Sequence, residues 1–289
     1  MTKEEKNYII ELANQRKEVF DAVGIKVMGN SDLDIAKRIN DLLPNVYPVT
    51  YPVGRIITEK DALSRSCDYL DVFGDSYVNK VRDRIKNLKI YQMFDNTFSF
   101  TTNITYKLDE ETRKIDKNSG NIDHMKTPVI FDEVSPMWLA HEHIHGLKEL
   151  NYNEYTDGQI LGDVIPMFLE LVIADKEDKI KEKAYIKNRI FLLKNEAKGI
   201  QAVKEALYTH KDLYRVWVTS SMQYLNSFYY SLQLYDLYQE DNETVIKQIK
   251  EVLDGNKTTR DMLEELNLLY KYNDKKAKQG IGKVINGIR

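Results

Sequence analysis

Residues 137–150 read Met-Trp-Leu-Ala-His-Glu-His-Ile-His-Gly-Leu-Lys-Glu-Leu, and they set the reading of the whole chain. Within them, His141-Glu142-His143-Ile144-His145 matches the pattern H-E-x-x-H. On a helix, residues four apart share one face, so His141 and His145 can turn both imidazoles toward a single metal ion. Glu142 stands beside that point, close enough to handle a metal-activated water without ligating the ion. His143 lies about 200° round the helix from His141 and is expected to be a packing or surface residue rather than a ligand. With 5 His in 289 residues, composition alone would produce the pattern on the order of 0.01 times. Two imidazoles and a carboxylate suit zinc, with the fourth position open for water. Such an ion lowers the pKa of the water and polarises a carbonyl, while the glutamate takes the proton and later passes it to a leaving amine.

A third protein ligand is needed, and the acidic residues downstream are Glu149, Glu154, Asp157, Asp163 and Glu170. Glu149, four residues past His145, would point beyond the ion. Glu154 and Asp157 fall in a Tyr/Asn/Gly-rich connection, whereas ligands benefit from rigid elements. Asp163 reads as the N-cap of the next helix, with Pro166 in its first turn. Glu170 interrupts the apolar stretch 164–173, and a lone carboxylate there is costly to bury unless a cation or a metal pairs with it. Glu170 is therefore the expected ligand; the bland alternative puts it on the polar edge of its helix.

Outward from the motif, most of the chain has helical periodicity. Helices are expected over 4–22, from Ser31 or Asp32 to about Leu43, over 59–72 with Gly74 as its stop, and over 76–89. Downstream they are expected over 132–150, 163–176, 177–209, 211–239, 243–254 and 258–271. Between the two groups, residues 90–106 are rich in aromatic and β-branched side chains, the composition of strands, and 127–131 could add one more. The mixed-sign run 176–187 reads as a solvated helix face. His124, in the polar loop before 127–131, is expected to be a non-ligand.

Composition narrows the function classes. Lys+Arg total 42 against 45 Asp+Glu, a net charge of −3, which argues against a nucleic-acid partner. Cys67 is the single cysteine, so an internal disulfide and cysteine-based zinc fingers are excluded. The first residues have no apolar leader, and no run of roughly 18 apolar residues occurs, so a cytoplasmic protein without a membrane partner is expected.

The H-E-x-x-H with a Glu 25 residues beyond its second His, set as Phe168-Leu169-Glu170, resembles the thimet oligopeptidase and oligopeptidase F family of zinc peptidases. Those enzymes carry an F-x-E on the second zinc-binding helix at this separation. The resemblance extends to Tyr224–Leu232, which is similar to a Tyr-rich helix whose phenols face the zinc in that family. It implies that Tyr229 or Tyr230 donates to the oxyanion. The stretch from Leu253 to Leu266 is similar to the family's glycine turn and final helices. A His that the family places shortly before the Tyr pair is replaced by Met222 and Gln223. The chain is also about half the usual family length, which implies a cleft more open than the family norm.

The expected fold is mainly α with a small β-sheet, α+β and zincin-like, with a helical part over 1–89 and the catalytic part over 90–289. One Zn2+ per chain would be held by His141, His145 and Glu170, with Glu142 as base and then acid. The substrate would be a peptide bound extended along a strand edge at 98–106 or 127–131. The alternatives are a non-catalytic binding module on the zincin fold, or a metal hydrolase of another amide.

Overall fold

The computed structural model describes residues 1–23, 27, 38–39, 41–47, 59–87, 104–105, 121–122, 136–147, 161–177, 180–271 and 273–285. In chain order the helices are α1 (Lys3–Val23), α2 (Glu59–Asp68), α3 (Asp75–Asn87), α4 (Pro136–Leu147) and α5 (Val164–Glu177). They continue with α6 (Ile180–Ala206), α7 (Lys211–Glu240), α8 (Asn242–Leu253), α9 (Thr259–Glu265) and α10 (Asp274–Ile285). Among the described residues no helix is long and apolar enough to cross a membrane.

Burial is deepest along α5, where every residue from Val164 to Ala174 is buried. Such all-round apolar character marks a helix enclosed by others. Helix α5 packs on α4 on one side and on α7 on another. Helix α2 covers α4, while α1, α6 and α10 also lie against α7. One apolar cluster runs through all of this, from Ile39, Leu70 and Phe73 through Met137, Ile165 and Phe168 to Phe228, Ile249 and Val284. A smaller cluster of Ala13, Val203, Leu207 and Leu213 ties α1 to the junction of α6 and α7.

Local chemistry explains where the elements begin and end. Asp241 caps α8 by accepting from the Thr244 N–H, and Thr258 with Asp261 forms a reciprocal capping box at α9. Helix α9 then stops short of the expected 258–271, with Asn267 and Tyr270 at positive φ of 59° and 56°. Helix α2 ends in a 3-10 turn over Tyr69–Phe73, and Gly74 breaks it at φ 94° and ψ 161°. Helix α10 lies beyond the last helix expected from the sequence. Its Gly280 lets it approach α7 closely, because a Cβ there would meet the Leu232 carbonyl oxygen at 3.3 Å.

The sheet is where expectation and observation part. Among the described residues the strand pairing is one short antiparallel pair, Ile104–Thr105 with Asn121–Ile122, Ile104 opposite Ile122. Two residues a side do not make a sheet, and the rest of 90–106 and all of 127–131 lie outside the described residues. The described molecule is a mostly helical one. The helix expected before Leu43 falls largely outside them too.

Candidate metal centre

His141 and His145 stand one turn apart on α4, as four-residue spacing dictates, with ring centroids 5.0 Å apart. The carboxylate that joins them is Asp163, which stands immediately before α5; its backbone carbonyl accepts from the Met167 N–H at 2.9 Å. Asp163 Oδ1 lies 3.0 Å from His141 Nε2 and 3.3 Å from His145 Nε2, and the two Nε2 atoms are 3.2 Å apart. Four donors about 2.0–2.1 Å from a tetrahedral zinc would stand roughly 3.3–3.4 Å from one another. The three donors hold nearly that spacing, so His141, His145 and Asp163 form a group that could hold a metal ion.

Glu170, expected as the third ligand, sits elsewhere. Its Oε1 accepts from His141 Nδ1–H at 2.7 Å. The two nitrogens of an imidazole point away from each other, so a carboxylate on Nδ1 cannot share an ion with Nε2 of the same ring. In this arrangement Asp163, not Glu170, is the carboxylate that stands with both Nε2 atoms. Its apparent role as a cap concealed it, because the residue that opens α5 also faces α4. Glu149, Glu154 and Asp157 lie outside the described residues.

Two residues of α6 complete the cluster. Arg189 Nη2 donates to Glu170 Oε1 at 2.5 Å and to Tyr185 Oη at 2.6 Å, and Tyr185 O–H donates to the same Oε1 at 3.1 Å. The run 176–187, read as a solvated face, thus turns Tyr185 inward. Tyr185 and Arg189 repeat the four-residue spacing of His141 and His145, the one signal in the sequence that could have paired them.

These contacts fix the protonation of the metal-free site. Burial alone would push His141 down, but the Glu170 charge and the hydrogen bonds to Asp163 and Glu170 outweigh it and raise its pKa to about 9. Burial works against the ionised form of Asp163, yet bonding to both imidazoles holds it well below the usual carboxylate range. Glu170, 1% exposed, is likewise held low against its burial by the charges of Arg189 and His141. Burial and the Glu170 charge push the Tyr185 phenol well above its ordinary value.

The remaining expected residues divide. Glu142 is buried on α4 directly after His141. His143 is buried rather than at the surface, with its Nε2 3.0 Å from Ser66 Oγ on α2. Ser66 spends its hydroxyl proton on the Leu63 carbonyl, so it accepts from His143, whose ring proton therefore sits on Nε2. Tyr229 and Tyr230 are fully buried on α7. Tyr229 O–H donates to Asp274 Oδ1 at 3.1 Å, and Tyr230 Oη accepts from the Tyr270 N–H at 3.3 Å. These bonds tie both rings to α10 and the segment before it. The Met222 and Gln223 side chains and His124 lie outside the described residues.

No family model matches this chain, and the search of curated proteins finds no match either. Among solved structures it is similar to one described as a "putative peptidase from Chlamydophila abortus", at 13% identity and a TM-score of 0.49. That match covers 100% of this chain, which spans 55% of the other.

Proposed function

We propose that this chain is a zinc-dependent peptidase that cleaves peptide bonds with an activated water. The observation that carries the reading is the convergence of His141 Nε2, His145 Nε2 and Asp163 Oδ1, with Glu142 beside the first of them on α4. Two imidazoles and a carboxylate are a zinc donor set, and they leave one position of a tetrahedron open. A zinc ion there would supply Lewis acidity to a water and to the scissile carbonyl. His141 is held by Glu170 with Nε2 turned to the site, and Asp163 draws His145 to the same point. Glu142 accepts the proton of the attacking water and returns it to the leaving amine. The donor to the oxyanion is left unassigned, because Tyr229 and Tyr230 are bonded toward α10.

The substrate in this reading is an oligopeptide or an unfolded segment bound extended. The strand edge that would bind it, at 98–106 or 127–131, lies outside the described residues apart from Ile104 and Thr105. The thimet oligopeptidase and oligopeptidase F resemblance belongs to this proposal, with the third ligand moved from Glu170 to Asp163.

Metal analysis with a quenched-fluorescent peptide assay tests the reading. Wild type should hold one zinc per chain and cleave. Glu142→Gln should keep the zinc and lose on the order of 10²–10⁴ in turnover. Asp163→Asn should lose stoichiometric zinc and activity together. Wild type without zinc, or full cleavage by Glu142→Gln, refutes the proposal.

A further inference from the structure

Glu170 Oε1 receives three hydrogen bonds, from His141 Nδ1, Tyr185 Oη and Arg189 Nη2, while its Oε2 and the Arg189 Nε are buried and have no partner. An Arg–carboxylate pair that served only to bind two helices would gain most from a two-pronged fork. Here a single Nη2 serves both Glu170 and Tyr185, and two good polar atoms go unused. What this geometry achieves instead is direction: one oxygen is pinned at the place where it faces a ring nitrogen of His141.

Resting on the reading of His141, His145 and Asp163 as a metal site, we propose that Arg189 and Tyr185 are positioning residues of that site. They hold Glu170 against His141 Nδ1, so that Nε2 is aimed at Asp163 and His145. The restraint passes from α6 through α5 to α4, three helices packed in sequence. A ligand imidazole generally depends on such a partner on its far nitrogen for orientation and basicity, and losing it typically costs 10–100-fold in metal affinity. Arg189 is the anchor: with a side chain 17% exposed against 1% for Glu170, it is the cation that lets the carboxylate stay buried. Tyr185 fills the gap beside it, accepting from Arg189 and donating to Glu170, with its ring 5.3 Å from the guanidinium carbon.

The test measures zinc affinity by competition with a chromophoric chelator, on proteins whose helical circular dichroism matches wild type. Arg189→Met should weaken zinc binding about 10–100-fold. Arg189→Lys keeps a charged donor and should restore most of that loss, a rescue that no loss of packing would mimic. Tyr185→Phe leaves both charges in place and should weaken binding several-fold. If Arg189→Met does not fold, Tyr185→Phe decides the matter. Folded variants that bind zinc as wild type does overturn the positioning role while leaving the metal site intact. Wild-type protein that binds no zinc overturns the site and this proposal with it.

Discussion

With a carboxylate on each ring nitrogen, His141 carries two ring protons in the metal-free chain, and a zinc ion bound as proposed would have to displace the one on Nε2. Because the pKa is raised from 6.5 to about 9, apparent zinc affinity should climb by about tenfold per pH unit from pH 7 toward 9. An unperturbed histidine would level off near pH 6.5. Chelator competition from pH 6 to 9.5 checks this, and a plateau below pH 7 contradicts it. The same shift makes a second, opposite claim for the metal-free protein. A group whose folded pKa lies above its unfolded one contributes stability below pH 6.5 and loses it as pH rises through about 9. Urea midpoints of the metal-free chain should therefore fall between pH 7 and 9.5. At this scale the sequence was legible for the histidines, since four-residue spacing is a property of the helix itself. It was half legible for Glu170. The burial argument correctly demanded a partner for that carboxylate, but the demand was met by Arg189, a cation 19 residues away, and no local pattern separates a buried ion pair from a metal ligand.

Helices α1, α3, α5, α7 and α8 follow from periodicity and caps to within a residue or two. Helix α10 was not foreseen, because Gly280 and Gly282 dilute its pattern. What those residues lose in propensity is recovered at least at Gly280 by close packing on α7. Two other glycines give contrasting expectations. Gly74 adopts φ 94° with nothing nearer to a hypothetical Cβ than Lys250 Nζ at 3.8 Å. Gly74→Ala should therefore destabilise through backbone strain alone, by about 1–3 kcal/mol. Gly199 lies exposed within α6 with open space around it. Gly199→Ala should stabilise by about 0.5–1 kcal/mol. Thermal melts of the two variants should move in opposite directions, and a shared direction would refute the backbone account. The inward face of α6 was hidden for a different reason: charges of both signs dominate its sequence, and only tertiary packing selects Tyr185 and Arg189 from among them.

Across the whole molecule, the core joins segments far apart in sequence, so no window of the chain could announce that Asp163 would meet α4. Helix α10 is fixed to α7 by buried Asp236 with Lys276 and Lys283, and by the Tyr229–Asp274 bond. The Tyr229–Tyr230 pair, to which the family resemblance assigns an oxyanion role, thus also helps close the helical assembly. The three histidines of α4 end up in unequal surroundings, and this has a chemical consequence. His141 and His143 are 4% and 3% exposed, whereas the His145 side chain retains 27%. Diethyl pyrocarbonate, an electrophile that acylates accessible neutral imidazoles, should thus mark His145 alone of the three, along with exposed His210. Zinc should shield His145 and leave His210 unchanged, a difference that peptide mass spectrometry would read directly. Acylation of His141 ahead of His145 would mean that the site opens from its other side. The reagent would then map the face by which anything, water included, first reaches the site.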